Sequence, residues 1–125
     1  MIKKKKNNDY PEDTTMIIDF SKIARKEIEG FKDGNGPFLT KLADDGKVKI
    51  MHNILPPGSS IGLHRHEGNC EIMYILKGII TFKYDGKTEI AQEGTVHYCP
   101  CGHEHMAENL TNEDAVFLAI VPETK

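Results

Sequence analysis

At 125 residues, with a formal charge of −3 and a pI near 6.1, the chain suits one domain around one core. This balance gives no reason to expect nucleic acid as a partner, and no apolar stretch is long enough to span a membrane. Three cysteines at irregular spacing argue against a disulfide framework and for a reducing cytoplasm.

In chain order, residues 1–15 are polar and poor in large apolar groups, which predicts a disordered tail ahead of one domain over 16–125. The basic run Lys3 to Lys6 reads as solvated tail rather than a nuclear-localisation patch. No apolar stretch follows it to complete a signal peptide. Met16 to Phe31 is open to two readings. Ile17, Ile18 and Phe20 suggest a strand, whereas Ser21 suits the cap of a short helix containing Ile23, Ala24 and Ile28. Asp33-Gly34-Asn35-Gly36-Pro37 is a loop. Short strands then alternate with turns: Phe38–Leu42, Val48–Leu55 before Pro56-Pro57-Gly58, Glu71–Leu76 before Lys77-Gly78, and Ile79–Tyr84 before the hairpin pair Asp85-Gly86. Lys87–Ala91, Val96–Cys99, a strand around His105 and Val116–Val121 complete the run. This pattern predicts an all-β antiparallel barrel or sandwich, and no helix-strand alternation supports a parallel sheet.

Within that pattern two polar clusters stand out. His64 and His66 sit two apart, so on a strand both imidazoles project to one face. Gly68-Asn69 is turn chemistry, which would return Glu71 on the neighbouring strand beside them. Pro100-Cys101-Gly102-His103-Glu104-His105 forms the second cluster. Three neutral imidazoles and one carboxylate converging in a small barrel suit a divalent transition metal: Mn, Fe, Co, Ni, Cu or Zn.

These residues resemble the two motifs of the cupins. The first motif is Gly, five residues, His-x-His, three or four residues, Glu, six residues, Gly; here it reads Gly58, His64, His66, Glu71, Gly78. The second is Gly, five residues, Pro-x-Gly, two residues, His, three residues, Asn; here it reads Gly94, Pro100, Gly102, His105, Asn109. The resemblance covers roughly 48–121. It implies a double-stranded β-helix, or jelly-roll, barrel with a short irregular N-terminal segment. It also implies one divalent metal per chain, held by His64, His66, Glu71 and His105. Four ligands around an octahedral ion leave two positions for water, substrate or dioxygen.

Alternation along Val48–Leu55 places Val48, Ile50, His52 and Ile54 on the more apolar face, which predicts that His52 points inward. His97 and Cys99 share a face before Pro100. His52 and His97 are therefore the candidate catalytic residues, as hydrogen-bond partners of the ligands or proton shuttles. Each is more often a core or surface histidine with a satisfied hydrogen bond. Cys70, Cys99 and Cys101 read as small buried hydrophobes, and Met51, Met73 and Met106 as ordinary packing. Arg65 should face away from the ligand pair, and His103 should sit at the barrel rim.

Two functions follow. One is a metal-dependent enzyme acting on a chelating organic substrate, with oxygen-dependent, dioxygenase-like chemistry ahead of an isomerase or decarboxylase. Only two arginines, Arg25 and Arg65, are present to hold a phosphosugar. The other is a non-catalytic module binding a small molecule or metal. An acid-base group in the pocket besides the ligands discriminates them. Small cupins commonly pair through N-terminal strands, so a homodimer with residues before about 35 in the contact is expected.

Overall fold

The computed structural model describes residues 16–124; the expected disordered tail, 1–15, lies outside them. Ten strands follow in order: β1 Lys26–Glu29, β2 Pro37–Asp44, β3 Val48–Leu55, β4 Ser60–Arg65, β5 Glu71–Lys77, β6 Ile79–Tyr84, β7 Lys87–Gln92, β8 Val96–Cys99, β9 Glu104–Glu108 and β10 Ala115–Pro122. They form a six-stranded sheet, β1-β2-β3-β10-β5-β8, and a four-stranded sheet, β4-β9-β6-β7, with every pairing antiparallel. This is the expected all-β jelly roll.

Strand alternation builds the core. Ala115, Phe117, Ala119 and Val121 of β10 are buried, while Val116, Leu118 and Ile120 between them are only partly so. Phe117 meets Phe82, Leu55, Ile75 and Ile80 in the cluster between the sheets. Burying each such side chain contributes about 1.5–3 kcal/mol. The Asp85-Gly86 hairpin forms as expected, both residues taking the positive φ of a type I′ turn (50° and 79°).

Three local expectations are corrected. The ambiguous segment makes neither a strand from Met16 nor a helix capped by Ser21. Asp19 caps a single 3₁₀ turn, Phe20–Lys22, by accepting from the Ser21 amide, and a strand forms only at β1. The inward face of β3 is also reversed. Register with the buried residues of β10 pairs Ala119 with Met51 and Phe117 with Asn53, so Lys49, Met51, Asn53 and Leu55 face inward. Val48, Ile50, His52 and Ile54 lie on the outer face, which is apolar enough to have looked like core. Finally, Gly68-Asn69 does not close a hairpin. β4 belongs to the four-stranded sheet and β5 to the six-stranded one, so the turn carries the chain from one sheet to the other.

Candidate metal centre

His64 lies on β4, His66 one residue beyond its end, Glu71 at the first position of β5 and His105 on β9. β4 and β9 are hydrogen-bonded neighbours with His64 opposite His105, and Glu71 reaches the same point from the facing sheet. Their ligand atoms all lie within 4.8 Å of one another. His66 Nε2 stands 3.0 Å from Glu71 Oε1 and 3.1 Å from His105 Nε2. His105 Nε2 is 3.1 Å from both His64 Nε2 and Glu71 Oε1. Neighbouring donors at right angles around an ion with bonds of about 2.1 Å stand ~3 Å apart. The four side chains therefore have the chemistry and spacing to hold one divalent metal.

The other ring nitrogens explain why Nε2 points inward on all three histidines. Nδ1–H of His64 donates to the Gly62 carbonyl at 2.7 Å, and that of His66 to Asn69 Oδ1 at 2.8 Å. Nδ1–H of His105 donates to His97 Nε2 at 3.0 Å. His97 in turn donates from Nδ1 to Glu89 Oε1 at 3.3 Å. Each outer contact fixes a tautomer that leaves an Nε2 lone pair free at the centre.

The electrostatics agree with that arrangement. Burial alone would raise the Glu71 pKa, but the adjacent His105 and His66 rings outweigh it and hold the carboxyl at about 2. Burial lowers the pKa of His64. For His66 burial acts in the same direction, yet its bonds to Glu71 and Asn69 outweigh it and raise the value.

The ligands line one wall of a cavity of about 370 Å³. Phe31, Met51, Met73 and Phe117 supply apolar wall, so two of the methionines expected only to pack border the cavity. Lys32, Lys49 and Arg65 line it too, opposed among the non-ligand acids by Glu67 alone. The Arg65 guanidinium is held by the Gly102 carbonyl and Glu104. Part of the mouth comes from the 3₁₀ turn Phe31–Asp33, which Phe31 anchors by stacking on Phe38 at 4.8 Å. This contribution had no sequence signal beyond the glycines around it.

Neither candidate catalytic histidine lines the cavity. His52 sits on the outer face of β3, its Nδ1 3.3 Å from Arg25, whose guanidinium also donates to the His52 carbonyl. Burial and the Arg25 charge keep it neutral by lowering its pKa. His97 points inward as expected but lies behind His105, stacked on Phe82 at 3.8 Å. His103 is at the rim, bonded to Asp85. Cys70 and Cys99 are buried and Cys101 is exposed, all as free thiols. Burial pushes the Cys99 thiol up to about 12, so it is not a nucleophile.

Comparison with known proteins agrees with this geometry. The family model for the cupin domain matches residues 51–121. An oxalate-binding protein of Thermotoga maritima is 38% identical over 116 residues, covering 88% of this chain and 96% of that protein. The crystal structure of a predicted oxalate decarboxylase from Thermotoga maritima superposes with a TM-score of 0.81 at 34% identity, covering 86% of this chain and 99% of the other. KdgF from Halomonas sp. shares the fold alone, with a TM-score of 0.71 at 16% identity over 88% of this chain and 96% of its own. On its motifs, its two-sheet architecture and these matches, the chain belongs to the cupin family.

Proposed function

We propose that this protein binds a small chelating carboxylate, of which oxalate is the simplest, at a divalent metal held by His64, His66, Glu71 and His105. The observation that carries the reading is the contrast between a chain of net charge −3 and a cavity lined by Lys32 and Lys49 against the single non-ligand acid Glu67, with Arg65 on its wall already paired with Glu104. A local cationic surplus in a negative protein attracts an anion. The oxalate-binding protein of Thermotoga maritima, 38% identical, supports the same choice. When bound, the metal supplies a positive centre that polarises carboxylate oxygens. The chain's own residues do the rest. The histidine Nδ1 contacts orient the donors, Lys32 and Lys49 draw the anion in, and Phe31, Met51 and Phe117 exclude water around it.

His52 and His97 both lie outside the cavity lining, so the acid-base role expected of them passes to Glu67, the non-ligand carboxylate that does line it. Oxygen-dependent chemistry on the chelated ligand is the second reading. Calorimetric titration of the chain reconstituted with Mn(II), Fe(II), Co(II), Ni(II), Cu(II) or Zn(II) should give saturable oxalate binding with at least one metal and none after chelation. Monitoring oxygen uptake, carbon dioxide and formate in the same samples separates binding from catalysis. Absence of oxalate binding with every metal would overturn the proposal.

A homodimer also belongs to this reading, through a surface other than the N-terminal segment expected from the sequence. On the outer face of the six-stranded sheet, Tyr74 pairs with Val96, and Ile72 with Tyr98. Leu118 and Ile120 continue the surface on β10. Tyr74, Val96 and Tyr98 are 42%, 55% and 53% exposed, and β8 is an edge strand. A contiguous apolar surface beside an open edge suits a second copy of the chain. A monomer mass by light scattering at micromolar concentration would contradict it.

A further inference from the structure

Thr40 and Asn53 are cross-strand partners on β2 and β3, and both line the cavity that the four ligand side chains border. Asn53 is 1% exposed and Thr40 6%. Even so, Asn53 Oδ1 and Thr40 Oγ1 have no hydrogen-bond partner among the described residues. Buried polar atoms are nearly always paired, because burial removes their water and only a partner restores the loss. An apolar pair would pack here without that cost. Two orphaned atoms on paired residues that border the cavity are instead a half-made contact.

Their place in the cavity says what would complete it. Lys49, Met51 and Asn53 succeed one another along the inner face of β3, with Lys49 exposed and Asn53 buried. At roughly 3.4 Å per residue that run spans about 14 Å. The volume of about 370 Å³ falls in the range of roughly 300–1,000 Å³ that encloses drug-sized ligands. A two-carbon dianion does not fill such a space. A carboxylate is an acceptor only and cannot meet Asn53 Oδ1, whereas a hydroxyl donates to Oδ1 and both donates to and accepts from Oγ1.

We propose that Thr40 and Asn53 form a second anchor for the ligand, and that the ligand is a hydroxylated carboxylic acid longer than oxalate. Its carboxylate meets the metal site and a hydroxyl meets the Thr40–Asn53 pair. This rests on the chelating-carboxylate reading above. A site built to hydrogen-bond a hydroxyl discriminates strongly against a ligand without one, because the site's own groups are then left unpaired.

The test is calorimetric titration of the Mn(II)-loaded full chain with oxalate, D-glycerate, L-tartrate and D-gluconate. At least one hydroxy acid should bind more tightly than oxalate. Thr40→Val and Asn53→Leu should each lower that selectivity by at least about tenfold. Thr40→Val is nearly isosteric and removes an unpaired hydroxyl, so it should melt no lower than the parent and decides the matter alone if Asn53→Leu fails to fold. If oxalate binds but no hydroxy acid binds more tightly, or if selectivity is unchanged in the variants, the second anchor is wrong and chelation stands. If none of the four acids binds the metal-loaded chain, the chelation reading fails and the anchor fails with it.

Discussion

The Nδ1 proton of His105 is held by His97, which is itself fixed by Glu89 and by the ring of Phe82. Such outer contacts typically set metal affinity by 10–100-fold. Replacing His97 by Phe should keep the ring stacking, remove the acceptor and weaken metal binding by about 10–100-fold, while His97→Gln should recover part of the loss. Competition with a chromophoric chelator measures both, and equal affinities in all three proteins would show that His97 only packs. Protons are the other competitor at the Nε2 atoms. Glu71, held at about 2, stays ionised throughout the working range, so the acid edge of metal binding belongs to the imidazoles. Of His64 and His66, whose pKa values are lowered and raised respectively, His66 takes its proton at the higher pH. Metal affinity should therefore drop as pH falls from 8 to 5, by about tenfold per unit for each competing proton. A flat profile would exclude His66 as a ligand. The clustering of His64, His66, Glu71 and His105 was legible from the residue types and spacing of the two motifs, whereas strand alternation by itself places only His64 and His66 together. His52 was misread because β3 is apolar on its outer face and carries Lys49 and Asn53 on its inner one, so hydrophobicity pointed the wrong way.

Among the elements, the contact between β4 and the 3₁₀ turn Phe31–Asp33 shapes the cavity mouth most directly. A Cβ on Gly62 would stand 1.8 Å from the Lys32 carbonyl oxygen, and one on Gly34 would stand 2.1 Å from that of Ser60. Neither contact can relax by rotating a side chain, because both neighbours are backbone. Gly62→Ala should therefore push the turn off β4 and cost about 1–3 kcal/mol of stability, read by urea unfolding. Since Phe31 and Lys32 border the cavity, oxalate affinity should fall in the same variant. Unchanged stability would mean that the turn is loosely attached. Strand bounds from β3 onward were legible because Gly and Pro punctuate them at nearly every turn. The passage from β4 to β5 was not, since Gly68-Asn69 specifies a local reversal and says nothing about which sheet receives the next strand. That choice is made by distant pairing, of Glu71 with Cys99 and of Ile72 with Ile120.

Across the whole molecule, a metal held by the four candidate ligands would tie the two sheets together. His64 and His105 come from the four-stranded sheet and Glu71 from the six-stranded one, so a bound metal bridges layers otherwise joined by packing and connecting chain. An unfolded chain cannot hold these residues in one place, which makes metal binding a contribution to folding stability. At a free metal concentration one hundred times Kd the gain is about 2.7 kcal/mol. For a domain of this size, that corresponds to a melting temperature roughly 10 °C higher. The rise should scale with the logarithm of metal concentration and be reversed by a chelator. The His64→Ala, His105→Ala double variant should lose most of it, retaining only what two remaining donors bind. A scan of both proteins by differential calorimetry, with and without metal, provides the comparison. An equal rise in the double variant would place the metal elsewhere, and no rise in the parent would leave the two sheets held by the Phe82–Phe117 core alone.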